Sequence, residues 1–519
     1  MSTQIQPSGY EADTFNEPDL EAQSSDTLHG PQNEECDQET ESRESNAVDE
    51  KKDIDPNEVM FEVNDPDNTN SNMSLVKKWS VVAVLCFATA IITMLSSVWS
   101  YSEPSISHKY HVGRVVGTLG ITLIMVGLGI GPMLLSPLSE RYGRKPMYIL
   151  GLILSCAFQF LTAFADNLGG ILFGRFMSGF FGSVFVSVVN GTFTDIFNKS
   201  EIAPAIAIFG VSPFVGPSIG PLFSAGINKY LNWRWPFYIM LMLHGVSLIL
   251  VILFVPETYE PVLLLKKARK LRKETGNDSL RCALEKEDHG SLWMTILKAP
   301  KRPFLLLLRD PMILILCIYT GLVLAIIYLF FVAFPYIFKT VFKFDNISQG
   351  LSFLGLLIGL SIGACAAPSF QNHYNRIEAK GKAEPEDRLY ALILASFLLP
   401  IGMFIIAWTS FSYLHWIGPI IGSTVYGVGC SLAFTGVIGY IADAYKLYSA
   451  SAMACNSLVR SFMAGGFPLF ALQMYEKLGV NWASSLLAFL LVVMIPFPLL
   501  FFKYGKSIRA KSPYAWNVE

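Results

Sequence analysis

The sequence predicts an all-α integral membrane protein, with twelve transmembrane helices in two six-helix halves. Three observations carry this. Hydrophobic residues make up 52% of the 519 and charged residues 15%, with a mean hydropathy of +0.43, whereas soluble chains carry about 25% charged residues. Twelve apolar runs are each long enough to cross the hydrocarbon, which takes roughly 20 helical residues for about 30 Å. The runs fall into two sets of six separated by a long polar stretch, as in transporters built from repeats.

The first element is not a span. Residues 1–70 hold 20 Asp and Glu against three basic residues, Arg43, Lys51 and Lys52. Such a segment cannot bury enough apolar surface to offset its chain entropy, so a disordered acidic tail is expected over 1–76. It lacks the basic and apolar regions of a cleaved signal peptide, which leaves the first span as the targeting signal. The first six runs lie near 79–100, 115–136, 147–165, 169–193, 202–225 and 235–255. The second six lie near 311–335, 348–370, 388–408, 414–441, 450–474 and 482–502. This divides the chain into a first bundle over 77–255, a central loop over 256–310, a second bundle over 311–503 and a short basic tail over 504–519.

Lys and Arg alternate between dense and sparse loops. Arg141, Arg144, Lys145, the run from Lys266 to Lys273, Arg388 and Lys506 fall on one side, and Lys109, Arg114, Lys229 and Lys339 on the other. The bias is about three to one, which places both termini in the cytoplasm. The central loop carries Lys-Lys-Ala-Arg-Lys-Leu-Arg-Lys from Lys266. It is expected to form one or two amphipathic helices in the plane of an anionic lipid surface.

Three motifs carry mechanism. Between the second and third spans, Ser136-Pro-Leu-Ser-Glu140-Arg141-Tyr-Gly143-Arg144-Lys145 sets an acid and several bases around a glycine turn. The acid can cap a helix N-terminus and the bases can pair across to the other half, making a conformational latch of Glu140, Arg141, Gly143, Arg144 and Lys145. In the fourth span, Arg175 stands among apolar residues, where a charge costs at least about 2.5 kcal/mol and marks either a functional position or an arginine that snorkels to the outer interface. Its candidate proton-coupling partners are Glu103, near the outer end of the first span and the better direct candidate, and Asp195, about 30 Å further along the fourth and so out of direct reach. The fifth span has Gly210, Pro213, Gly216, Pro217 and Gly220, small residues that let helices approach and prolines that bend them.

Together these segments resemble the major facilitator superfamily, in particular the fungal twelve-span drug:proton antiporters. The loop after the second span is similar to their loop signature, with Ser136 where glycine is usual. Arg175 matches a helix-four arginine that the family links to proton coupling. The fifth span resembles the family's antiporter signature, with Ser212 and Pro221 replacing two glycines. Trp233-Arg-Trp-Pro-Phe-Tyr, Pro256-Glu-Thr-Tyr-Glu-Pro, Arg460-Ser and Phe467-Pro-Leu-Phe extend the likeness along the whole membrane body.

The resemblance implies a secondary transporter, not an enzyme, whose partners are a small-molecule substrate, protons and the lipid bilayer. It implies proton-coupled efflux of amphipathic drugs or xenobiotics (azole-like compounds or polyamines) by alternating access. A proton-coupled uptake carrier for a polar nutrient and a non-transporting sensor are the alternatives. Aromatic walls for a midplane cavity are expected from Tyr328, Phe331 and Tyr336 in the seventh span and Tyr426 and Phe434 in the tenth. A monomer in the plasma membrane is expected, the vacuolar membrane being the alternative.

Other chemistry is missing from the sequence. There is no phosphate-binding GxxxxGK[ST] loop, no HExxH and no GxSxG, and the cysteines show no metal-ligand spacing. No cofactor, metal or nucleic-acid partner is expected. His244 in the sixth span reads as a packed, hydrogen-bonded group. Asn346-Ile-Ser348 is a glycosylation sequon close to the bilayer, where modification is disfavoured.

Overall fold

The computed structural model describes residues 59–61, 65, 68, 70, 72–198, 201–286, 301–381, 384–510, 512 and 514–515. The tail up to residue 58 and part of the central loop lie outside the described residues. The first half comprises α1 (Leu75–Val98), α2 (Arg114–Tyr142), α3 (Arg144–Phe164), α4 (Leu168–Ile196), α5 (Ile202–Tyr230) and α6 (Trp235–Phe254). The second comprises α7 (Pro311–Thr340), α8 (Phe353–Glu378), α9 (Leu389–Thr409), α10 (Ile417–Ala444), α11 (Ser449–Leu478) and α12 (Val480–Ala510).

Eleven of these twelve are long and apolar enough to span a membrane by composition alone. The exception is α11, which carries Asn456 and Arg460 near its middle. It packs mainly against α7 of its own half and α2 of the other, so protein rather than lipid surrounds its polar positions.

Several helices outrun the apolar segments that mark them. α7 continues to Thr340, α8 to Glu378 and α12 to Ala510. Hydropathy locates the hydrocarbon slab, whereas the backbone hydrogen-bond ladder continues into the polar layer. The short basic tail expected from 504 thus begins inside α12. It is helical to Ala510, and Arg509 is buried with its Nε and Nη2 both 2.8 Å from the Glu386 carboxylate.

The end of the acidic tail is also not free. Val59 is buried against Ala268 and Cys282 of the central loop, and its N–H donates to the Arg281 carbonyl at 2.9 Å. Lys267, on the amphipathic helix Glu260–Thr275, pairs with Asp65 and donates to the Met60 carbonyl at 2.9 Å. Residues near the end of the 1–76 segment thus form a strap on the basic central loop, opposite charge replacing the missing apolar core.

Each half repeats the same close helix approach. In the first, a Cβ on Gly127 of α2 would lie 2.7 Å from the Phe180 nitrogen of α4. In the second, a Cβ on Gly427 of α10 would lie 2.7 Å from the Leu356 carbonyl oxygen of α8. Small residues let backbones meet where lipid supplies no hydrophobic drive for association.

The proline-rich α5 remains one helix through Pro213, Pro217 and Pro221. Its glycines do different things. A Cβ on Gly216 would overlap the backbone of Ala90 and Met94 in α1, and one on Gly220 would meet Ser97. Gly210 has nothing within 4 Å of that position, so its place in the expected packing motif is corrected. We predict that Gly216→Ala destabilises the purified protein by about 1–3 kcal/mol through overpacking. Gly210→Ala should be neutral or slightly stabilising, because it only raises helix propensity. Thermal unfolding in detergent checks this, and equal losses for the two variants contradict the assigned contact.

Candidate transport site

The charges gather at one rim of the bundle in two matching clusters. Gly143 turns from α2 into α3 with φ +99°, a conformation that suits a residue without Cβ. The space beside it holds the Glu257 carboxylate. That carboxylate accepts from the N–H groups of Arg144 (2.8 Å), Lys145 (3.2 Å), Thr258 (3.0 Å) and Tyr259 (3.0 Å). It therefore caps the N-terminus of α3, where the helix dipole favours negative charge. Arg144 Nε donates to Asp195 Oδ2 at 3.2 Å, Nη1 donates to Ser139 Oγ at 2.9 Å, and the guanidinium stands over Tyr259. In the second half Arg388 Nε donates to Asp443 Oδ2 at 2.7 Å, and the guanidinium covers Tyr374 at 3.8 Å. The start of α3 and end of α4 thus correspond to the start of α9 and end of α10.

This geometry corrects two parts of the expected latch. Glu140 is exposed, and the capping acid is Glu257. The partners of Arg144 and Lys145, including the Ile252 carbonyl that accepts from Lys145 Nζ at 3.1 Å, belong to the first half and not across the interface. Asp195 belongs to this rim cluster rather than to the surroundings of Arg175.

Arg175 is fully buried about 10 Å into α4 from its opposite end. Its Nε donates to the Gly120 carbonyl at 2.7 Å and its Nη2 to the Leu95 carbonyl at 2.9 Å. The guanidinium lies 4.8 Å from the Trp99 ring centroid, and Trp99 Nε1 donates to the Gly117 carbonyl at 2.8 Å. Nη1 has no partner. Glu103 does not pair with it, since its carboxylate accepts from Ser107 Oγ at 2.7 Å. The sequence places both residues near one end of the bundle, but Trp99 takes the face of the guanidinium. Burial raises the Glu103 pKa, and the Ser107 bond and the Arg114 charge partly oppose that rise.

The two halves meet through a run of contacts away from the charged rim. Ser96 Oγ and Tyr328 OH are 2.9 Å apart, joining α1 to α7. Thr122 Oγ1 donates to the Gly465 carbonyl at 2.7 Å, joining α2 to α11. Phe214 of α5 meets Phe434 of α10 at 5.1 Å between centroids. Gly350, just before α8, packs on Leu222 and Ala225 of α5. At the rim opposite the basic clusters, Arg114 pairs with Glu476 at 3.3 Å and Lys229 with Asp345 at 3.1 Å.

Among the expected aromatic walls, Tyr328 and Phe434 sit at this junction. Phe331 packs between Tyr328 and Phe353, and Tyr336 faces Tyr475. Tyr426 is corrected. It is fully buried in the second half and donates to the Val323 carbonyl at 2.7 Å. His244 is buried, with Nδ1 2.9 Å from the carbonyl of Met240 one turn back. Ser96, Phe214 and Glu257 carried no site role in the sequence reading. Serine and phenylalanine are too common in spans to stand out, whereas the acid after the sixth span was a legible candidate cap.

With this architecture in place, the comparisons with known proteins fall into line. The sequence profile of the Major Facilitator Superfamily matches residues 85–468. The chain belongs to the major facilitator superfamily. It is 46% identical over 465 residues to the probable drug/proton antiporter YHK8 of Saccharomyces cerevisiae, covering 89% of this chain and 90% of that protein. It is 43% identical over 396 residues to the efflux pump atB of Aspergillus terreus, covering 75% and 83%. It is 35% identical over 463 residues to the multidrug transporter mdrA of Aspergillus fumigatus, covering 89% and 76%. The fold is similar to the Escherichia coli xylose transporter XylE in a partially occluded inward-open conformation, with a TM-score of 0.58 and 14% identity. That match covers 82% of this chain and 99% of XylE. As a superfamily member the chain is a multi-pass membrane transporter and not an enzyme.

The Glu257 cap supplies a prediction. Glu257→Ala leaves four N–H groups short of their acceptor at a buried position and should cost roughly 3–5 kcal/mol of stability. Glu140→Gln should change stability by less than about 0.5 kcal/mol, as for other exposed positions. Denaturant or thermal unfolding of the two variants measures the contrast, and the reverse order contradicts the assignment of the cap.

Proposed function

We infer that this transporter exports amphipathic small molecules from the cytoplasm in exchange for protons, by alternating access. The observation that carries the reading is the one-sided junction of the halves. Contacts from Ser96–Tyr328 to Arg114–Glu476 and Lys229–Asp345 tie the halves together toward one rim. At the basic rim Arg144–Asp195, Arg388–Asp443 and Arg509–Glu386 each stay within one half. The basic rim is the cytoplasmic one by the positive-inside rule, so this arrangement is closed outside and free to part inside. Rocking about such a junction moves a substrate site between the two faces. Relatives named as a drug/proton antiporter and efflux pumps support the export direction.

The apolar and aromatic junction suits azole-like cargo better than polyamines. The charged residues within the middle of the spans are Arg175 and Arg460, which repel a polycation. A monomer in the plasma membrane, with both termini cytoplasmic, completes the reading.

Arg175 is proposed to couple proton movement to the conformational change. Its side chain ties α4 to the backbones of α1 and α2, so those helices cannot separate without breaking charge-assisted hydrogen bonds. Glu103, held by burial in its protonated form to higher pH than an ordinary carboxyl, is the proposed proton acceptor on the outer side. Transport in proteoliposomes with and without an imposed pH gradient tests both. Arg175→Ala should lose gradient-driven accumulation, and Arg175→Lys should keep part of it because the charge remains without the planar fork. Glu103→Gln should remove the dependence of transport on the pH gradient while leaving downhill exchange. If Arg175→Ala, folded as judged by its unfolding transition, responds to the gradient as the parent does, Arg175 has no coupling role. Gradient-driven movement in the opposite direction favours the uptake reading.

A further inference from the structure

Arg460, the charge in the middle of the second half, has no partner of opposite sign among the described residues. Arg460 lies about 16 Å along α11 from its basic-rim end, close to mid-membrane. It is partly exposed within the bundle, and its guanidinium stands 5.3 Å from the ring centroid of Phe434. Among the described residues no side chain or carbonyl accepts from it, and its Nε is enclosed without a partner. The ionisable side chains around it are Tyr328, Cys317 and Cys430, and none of them is a carboxylate. The carboxylates of the spanning helices lie at their ends: Glu140, Asp195, Glu378, Asp443 and Glu476.

The two interior arginines therefore differ in kind. Arg175 spends Nε and Nη2 on the carbonyls of Gly120 and Leu95. Arg460 has that same edge unused. An Arg presents Nε–H and Nη2–H as a planar fork that matches the two oxygens of a carboxylate. A buried charge left without acceptor is costly, and the cost is relieved when an anion arrives. Phe434 and, across the junction, Phe214 offer the face of an aromatic body beside that fork.

We propose that Arg460 is the anion-binding residue of the substrate site, and that the preferred cargo is an amphipathic organic acid taken as its carboxylate. The carboxylate occupies the Nε–Nη2 edge, and the apolar part lies against Phe434, Phe214 and Tyr328. A free arginine fork at mid-membrane, with no carboxylate in the middle of the spans among the described residues, favours this class over amines of the same shape. The proposal deepens the export reading and rests on it for direction, but the binding step stands by itself.

Equilibrium binding to the purified full-length protein in detergent tests it with three matched probes: 2-naphthylacetic acid, its amide, and 2-(2-naphthyl)ethylamine. The parent should bind the acid at least tenfold more tightly than the amine, with the neutral amide between them. Arg460→Gln should weaken the acid by tenfold or more and the amide by less than threefold, and Arg460→Lys should recover part of the acid affinity. A parent that prefers the amine or amide overturns the proposal. So does an Arg460→Gln protein that binds all three equally less, which is the mark of a structural role, or a parent that binds none of them. Proteoliposome transport of the same probes separates the two readings. Gradient-driven export of the amide, with no selective acid binding, leaves the export function standing and removes the anion site.

Discussion

Hydrocarbon offers no partner to an N–H, a C=O or a charge, and most of this architecture follows from that constraint. The backbone answers it by helix formation through all twelve spans. The side chains answer it by moving acids and bases to the rims, where Arg144 meets Asp195 and Arg388 meets Asp443. A polar group left inside lowers its cost by bonding to protein, which Arg460 does not do among the described residues. Thr89, Thr93 and Ser96 in α1 do so by donating to carbonyls of the preceding turn. Arg175 does so by reaching two other helices.

The same constraint limits how helices adhere. With lipid as apolar as leucine, attraction comes from close contact and from hydrogen bonds. Gly127 against α4 and Gly427 against α8 provide the first in the two halves, and Gly216 against α1 provides it for α5. The junction between halves runs mainly along α2 with α11 and α5 with α8, with pairs such as Ser96–Tyr328 and Phe214–Phe434. Two halves that meet along such helix pairs can rock as rigid bodies.

The strap of Val59 and Asp65 on the helix Glu260–Thr275 extends the logic outside the bilayer. Val59 lies on the face of the central loop that carries Ala268 and Leu271, and Lys267 receives Asp65. The loop joining the halves is thereby also joined to the N-terminal segment.

Number and order of the helices were legible from residues alone, because apolar length is a one-dimensional property. The Gly143 turn and the exceptional charge of Arg175 were legible for the same reason. Arg460 was visible as a residue and overlooked as a site, because α11 is the span whose apolar pattern is weakest. Partnership was another matter. Glu140 and Glu257 stand on either side of four helices in sequence, and nothing in the chain order says which one caps α3. Glu103 and Arg175 share a side of the membrane, yet Trp99 takes the face of the guanidinium. Sequence determines how deep a residue sits in the bilayer. Only the packed bundle determines which face of its helix it occupies and which neighbour it meets, because that depends on helix rotation and crossing set by contacts distant in the chain.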